Sequence, residues 1–577
     1  MSERANSRLK VVLCWHMHQP EYRDAATGQY QLPWTYLHAI KDYVDMVAIL
    51  EQVPNARAVV NFVPILLEQI DDYAHQVAAF LSDQTNINDP LLSALAEAEL
   101  PSDSELRCSL LSACLRANEE RLINRFENYR QLVDIAVSIK EDEMNIDYLS
   151  DQYLADLLVW YHLAWLGETV RRSDKRVAGL IKKGRLYSSA DRLQLVQVIG
   201  ELLSTVIQRY RVLSERGQIE LSMTPYAHPM IPLLEDFETA SEAVPDIVRP
   251  ATRLFPGGTQ RGHWHMRYGL EIFQRYFGAA PKGCWPAEGG VSDGMVKIMA
   301  DHDIKWFASG ESVLCNSLAR AEQANDDNPV EDQLHRAYRV GGNAPVGFFR
   351  DDGLSDLIGF TYSSWHGDDA VNNMVHHLEN IAQEYEGDEQ RVVSIILDGE
   401  NAWESYPENA YHFLTALYSK LAENTSFELT TFSDCIEQGI EIAELSSLVA
   451  GSWVYGSFTT WIGDQGKNRA WDLLCDAKQA FDDVMAAGKL SDEQTELAIQ
   501  QLAVCEGSDW FWWFGDYNPG ETVRDFDRLY RGHLRNLYSL IGSQSPLALD
   551  DVISAGAEEK TDEPAQGGVM RQGKENN

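Results

Sequence analysis

Two periodicities alternate along the chain. Short apolar runs rich in β-branched residues, most ending in a polar or charged cluster, are separated by longer stretches whose apolar positions recur every three or four residues. Seven of the runs read as buried strands: RLKVVLCWHMHQP, ARAVVNFVP, IELSMTPYAHP, KGCWPAEGG, IKWFASGES, PVGFFRD and VVSIILDGENAWE. Strands alternating with helices predict repeated β-α units, and hence an α/β fold built on a parallel barrel or sheet. In such barrels the reactive groups collect at the C-terminal strand ends, which is where the polar clusters fall.

The interval 82–217 is too long for one crossover. Its stretches LRANEERLINRFENYRQLVDIAVSI, YLADLLVWYHLAWLGETVRR and RLQLVQVIGELLSTVIQRYRVLSER have helical period, so a helical insertion is expected there. After about Thr430 the strand signals fade, and NRAWDLLCDAKQAFDDVMAAG and DEQTELAIQQLAVCEG predict a C-terminal α-helical domain over 431–545. The main unit is therefore 1–430, and the polar segment 546–577 reads as a disordered tail.

Composition narrows the partners. With 48 Lys and Arg against 88 Asp and Glu, the formal charge of −40 repels phosphate backbones and anionic headgroups, so neither nucleic acid nor membrane is expected. A neutral sugar is compatible with it. The start, MSERANSRLKVVLCW, lacks the apolar core and small-residue cleavage site of an export signal, which predicts a cytoplasmic protein. Eight cysteines without a CxxC pair read as reduced, buried thiols rather than a zinc knuckle or disulfide frame. No metal or other cofactor is expected.

Two acidic clusters stand out. In GCWPAEGGVSDG, Glu288 follows a strand and is bracketed by Pro286 and a glycine pair, with Trp285 offering an indole face suited to a sugar ring. In VVSIILDGENAWE an almost wholly apolar run delivers Asp398, followed at once by Glu400, Trp403 and Glu404; burying so many acids at one strand end is expensive unless they act. Two carboxylates on separate strand ends fit glycoside hydrolysis, one attacking the anomeric carbon and the other protonating the leaving oxygen. His16 and His18, two apart, project to one face of a strand; they could donate to sugar hydroxyls, form half of a metal site or simply pack. GQIELSMTPYAHP adds Glu220, Tyr226 and His228 in a proline-broken loop. The WFWWF run at 510–514 reads as core or interface packing.

Taken together, HMHQP at 16–20, GQIELSMTPYAHP at 217–229, WPAEGGVS at 285–292, ILDGENAWE at 396–404 and TTWIGD at 459–464 resemble, in content and order, the five signature regions of glycoside hydrolase family 57. FFRDDGLSDLIGF and GSDWFWWFGD resemble further stretches of its amylopullulanase and α-amylase branch, although Tyr226-Ala227-His228 stands where that branch carries two aromatics before the histidine. The resemblance implies an incomplete (β/α)7 barrel followed by a helical region, with Glu288 as nucleophile, Asp398 as acid/base and retention of configuration. It further implies substrate contacts from His16, His18, Glu220, His228, Trp285, Arg350, Asp351, Glu400, Trp403 and Trp461. The substrate it implies is an α-glucan: glycogen, starch or maltodextrin, cleaved at α-1,4 bonds, with cleavage at α-1,6 bonds left open. Transfer to a sugar acceptor, as in a 4-α-glucanotransferase, uses the same intermediate, and the residues leave both outcomes open.

Overall fold

The computed structural model describes residues 8–140, 146, 148–321, 333–385 and 391–557. Ten strands form one curled sheet: β1 (Leu9–Met17), β2 (Ala58–Phe62), β3 (Ile219–Met223), β4 (Gly283–Cys284), β5 (Trp306–Ser309), β6 (Ala337–Arg339), β7 (Val346–Phe349), β8 (Val392–Asp398), β9 (Phe427–Thr430) and β10 (Ile442–Glu444). Their order is β10-β6-β7-β5-β4-β3-β2-β1-β8, with β9 pairing the first half of β1. All pairings are parallel except β6 with β7. The two ends of the seven-strand run β8-β1-β2-β3-β4-β5-β7 meet at a single parallel bridge, Arg350 to Ser394. This is the incomplete (β/α)7 barrel of the sequence reading, built from its seven strands; β6, β9 and β10 are short additions.

The local chemistry explains these strands. Every residue of β1 is buried, as a parallel strand covered on both faces requires. β4 is only two residues long because Pro286 has no N–H for a ladder. Register then aligns the chemistry, since Asp398 of β8 and Asn61 of β2 flank His16 of β1.

Between β2 and β3 lie helices from Pro64–Asp83 to Ser189–Glu215, which fill the interval 82–217. The last begins with a capping box, Ser188 and Asp191. Beyond residue 430, β10 still adds to the sheet edge; the helices Gln465–Ala487, Asp492–Cys505, Ser508–Trp513 and Gly520–Leu540 follow. Within the segment expected as a tail, 546–557 is held to these helices: Arg531 donates to the Leu549 carbonyl at 3.1 Å, Ile553 N–H to Asp527 at 2.7 Å and Ala557 N–H to the Asn518 carbonyl at 2.9 Å. Residues 558–577 lie outside the described ones. Among the described residues, no helix is long and apolar enough to cross a membrane.

The helical region is fastened to the barrel by a buried ionic cluster. Glu506, with no exposed surface, takes two guanidinium donors of Arg261, at 2.7 Å each, and His265 Nε2 at 2.7 Å. Immediately beyond it, Ser508 N–H donates to the His228 carbonyl at 2.8 Å. Glu506→Gln leaves the Arg261 cation buried without an anion, at a cost of roughly 3 kcal/mol. The expected result is a lower urea midpoint in far-UV dichroism, accompanied by loss of activity because Ser508 and Asp509 sit at the next turn.

Candidate active site

A cleft with about 660 Å³ of empty volume opens at the C-terminal ends of the strands. Glu288, Asp398, Glu400 and Asp509 supply its acids, His16, His18 and His228 its imidazoles, and Trp285, Trp453, Trp512 and Trp513 its indoles. Glu288 sits on the turn after β4 with left-handed dihedrals, φ 59° and ψ 24°, a strain of about 1 kcal/mol for a non-glycine residue. Gly289 follows, also left-handed, where a Cβ would stand 2.8 Å from the Trp285 ring. His228 and its neighbour Ala227 are left-handed as well. Both loops thus store strain at the cleft.

A continuous hydrogen-bond chain joins barrel and helical region. His16 Nδ1 meets Asn61 Oδ1 at 2.7 Å, His16 Nε2 meets His228 Nε2 at 3.1 Å, His228 Nδ1 meets Ser508 Oγ at 2.7 Å, and Ser508 Oγ meets Glu288 Oε1 at 3.1 Å. With the Asn61 amide oriented so that its nitrogen donates to Ser222, its oxygen accepts from His16 Nδ1–H. His16 Nε2 is then bare and accepts from His228, whose own Nδ1 accepts the Ser508 hydroxyl. The remaining lone pair on Ser508 is satisfied by a protonated Glu288.

The electrostatics agree. Burial, reinforced by the charges of Asp509 and Asp398, pushes Glu288 up to about 8. Burial also raises Asp398 to about 6, opposed by Asn401, which donates to it at 2.8 Å, and by the His18 and Arg350 charges. Glu400 is driven well above the usual carboxylate range by burial and by Asp398 and Asp42; one oxygen accepts from His18 N–H and Gln19, and the other has no partner. Burial and mutual repulsion hold His16 and His228 neutral, His16 falling to about 3.

Of the residues singled out from sequence, His16, His18, His228, Trp285, Glu288, Asp398 and Glu400 come together here. Five of the expected substrate contacts do not line this cleft. Glu220 is the second residue of β3, at the opposite end of the barrel, where its carboxylate accepts from Trp306 Nε1 and from Ser433 N–H and Oγ. Asp351 caps a helix, accepting from Leu354 N–H, and bonds His335. Trp403 packs edge-on against Trp15 and donates to the Gly399 carbonyl, bracing the turn after β8. Trp461 is fully buried behind Trp512, with ring centres 5.6 Å apart. Arg350 spends its guanidinium on the Ile396 carbonyl, Asp352 and Asp356, and lies 5.4 Å from the Trp453 ring. The aromatic run divides: Trp510 and Phe511 are core, while Trp512 and Trp513 face the cleft.

Sequence reasoning missed Asn61, Asn401, Trp453, Ser508 and Asp509. Asn61 had a signal, as the one polar residue in the apolar run AVVNF, and Ser508-Asp509 is the polar pair that opens the aromatic motif. Trp453 carried none.

Among the described residues, one group of three could hold a metal: His18, His228 and Asp509, with ligand atoms within 4.8 Å of one another. Its geometry suits hydrogen bonding better. The two rings stack at 4.0 Å and 17°, so their in-plane lone pairs run side by side instead of converging, and His18 Nε2 already meets Asp509 at 2.8 Å.

A seven-strand parallel barrel with paired acids and indole walls at its strand ends defines a carbohydrate-active enzyme. The family model for glycosyl hydrolase family 57 matches residues 12–444, and the chain belongs to that family. Similar solved structures include a family 57 branching enzyme from Thermococcus kodakaraensis (14% identity, 95% of this chain and 94% of that one, TM-score 0.57). A branching enzyme from Pyrococcus horikoshii (14%, 98% and 99%, 0.56) and the α-amylase AmyC from Thermotoga maritima (14%, 93% and 94%, 0.54) share the fold as well. No curated protein sequence matches the chain.

One consequence concerns stability. Because the folded Glu288 carboxyl titrates at about 8 instead of 4.5, the folded state keeps a proton that the unfolded state loses across that window, and stability falls as pH rises through it. Glu288→Gln never ionises and keeps both hydrogen bonds. Thermal melts should show it more stable than the parent by roughly 2 kcal/mol at pH 8, with the advantage shrinking towards pH 5.

Proposed function

We propose that this protein cleaves α-1,4-glucosidic bonds, and α-1,6 bonds secondarily, in glycogen, starch or maltodextrins by a retaining mechanism. Glu288 attacks the anomeric carbon, Asp398 protonates the departing oxygen, and water then releases the sugar with Asp398 acting as base. The observation that carries this reading is the meeting of Glu288 and Asp398, from two different strand ends, in one indole-walled cleft. The family supports the glucan, and the branching enzymes and α-amylase among the similar structures are of the same kind. His16, His18, His228, Trp285 and Glu400 contact the donor sugar; Trp453, Trp512 and Asp509 join them.

In the empty cleft the single proton of the pair rests on Glu288, whereas the chemistry needs it on Asp398. Burial and the neighbouring carboxylates raise Glu288 further than Asp398, so the productive arrangement is the disfavoured one. Positive charge growing on the sugar ring favours an ionised Glu288 and so pulls the proton across. Trp453 Nε1 donates to Glu288 Oε2 at 3.2 Å and can only donate, so it steadies the ionised form.

Glu288→Ala and Asp398→Ala should each lower kcat on maltoheptaose by at least about a thousandfold without unfolding the protein. Azide rescue with α-maltosyl fluoride as donor separates the roles: the β-azide is expected from Glu288→Ala and the α-azide from Asp398→Ala. The reverse pairing, or activity of Glu288→Ala within tenfold of the parent, would sink the assignment.

The pH profile gives a second test. kcat/KM should be bell-shaped with limbs near 6 and 8. Trp453→Phe removes a donor that favours the ionised carboxylate, so the upper limb should move to higher pH by about 0.5–1 unit.

A further inference from the structure

Asp398 and Asn401 border a second cavity, of about 590 Å³, that does not include Glu288. Its other walls include Arg350, Phe360, Ser363 and Ser405. Phe360 and Gly359 belong to a π-helical turn, Leu357–Thr361, an uncommon backbone found mostly where a helix is widened for a purpose. A Cβ at Gly359 would stand 3.2 Å from the Leu397 side chain, which would have to yield by a few tenths of an ångström. Phe360 is half-buried, and two residues past Ser363 the Trp365 ring is 42% exposed.

The chemistry of the bond tells the two cavities apart. An acid that protonates a glycosidic oxygen stands beside that bond, with the donor sugar on one side and the leaving sugar on the other. The donor side is the one that also holds the nucleophile. Resting on the catalytic reading above, we infer that the cavity walled by Phe360 and Ser363 binds the leaving glucosyl residue and afterwards the incoming acceptor sugar, so that it governs how far this protein transfers glucan instead of hydrolysing it. Phe360 offers an apolar face to the pyranose ring, and Ser363, Ser405 and Asn401 offer hydrogen-bond partners for its hydroxyls. Arg350, with every arm of its guanidinium already engaged, is a fixed cation beside the Asp398 carboxylate left behind when the proton departs.

The step balances without a further reactant. Asp398 gives its proton to the leaving 4-oxygen as the C1–O bond breaks and the C1–Glu288 ester forms. The acceptor hydroxyl then returns a proton to Asp398 as its oxygen displaces Glu288.

α-Maltosyl fluoride supplies the test, since its leaving group is fluoride and occupies no sugar site. With maltose as acceptor, the ratio of transfer product to hydrolysed product is measured by chromatography for the parent, for Phe360→Ala and for Ser363→Trp, which fills the cavity. That ratio, and kcat/KM on maltoheptaose relative to the fluoride, should each fall by about tenfold or more in both variants. Ratios within twofold of the parent in Phe360→Ala, at an unchanged melting temperature, overturn the inference even if Ser363→Trp fails to fold. Failure of the catalytic reading looks different: Glu288→Ala would then turn over the fluoride as the parent does.

Discussion

The contact on which the site depends lies outside it. Glu506, without exposed surface, is saturated by Arg261 and His265 from the helix Gly258–Phe277. An ion pair so deeply buried contributes little net stability, because the desolvation of both partners offsets their attraction; what it supplies is position. The next residue, Gly507, bridges Pro229, and a Cβ there would stand 2.9 Å from the Ala227 carbonyl. Only at that approach can Ser508 hold the His228 backbone, in a stretch where two successive non-glycine residues are left-handed. The strained loop of the barrel and the first turn of the helical region are thus one unit. His228 of the one and Ser508 of the other are consecutive links in the hydrogen-bond chain to Glu288.

That joint also sets the electrostatics. Four acids crowd the cleft of a chain whose formal charge is −40, and burial penalises the charges of Glu288, Asp398 and Glu400. The structure answers with protonation and with donors rather than with cations. Glu288 and Glu400 are pushed towards their neutral forms, the buried histidines are neutral, and the nearby cation Arg350 is tied to two other acids. A cleft arranged in this way has little net charge to lose when a neutral glucan displaces its water. On the proposed mechanism its response is reserved for the transition state, when positive charge on the ring makes an ionised Glu288 favourable.

Much of this was legible in the chain, and the limits have physical causes. Buried parallel strands are continuously apolar, so all seven barrel strands stood out, and so did the acids at the ends of β4 and β8. The three-residue strands β6 and β10 at the sheet's edge are partly exposed, so no continuous apolar run marks them. Glu220 misled because a polar residue in a strand was read as lying at its C-terminal end; it lies at the start of β3, where Trp306 and Ser433 satisfy it. Trp403 and Trp461 misled because an indole in a motif can either touch a ligand or brace the residue that does, and sequence does not separate the two. Ser508 and Asp509 were hidden by distance, more than 200 residues from Glu288, in a segment that reads as a separate helical domain.

The incompleteness of the barrel bears on function as well. Between β7 and β8 the sheet closes on one bridge, Arg350 to Ser394, where a fuller barrel would have a ladder. Arg350 just past β7 and Leu397 on β8 both wall the second cavity, so that cavity opens along the seam itself. A complete eighth β-α unit would put a strand, with side chains on both faces, into this space. Asp398 is the last residue of the strand that borders the seam, which is why it alone of the two proposed catalytic acids faces both cavities. On the proposed mechanism, the gap in the sheet admits a sugar to Asp398 through a cavity that Glu288 does not line, the second approach that transfer to a sugar requires.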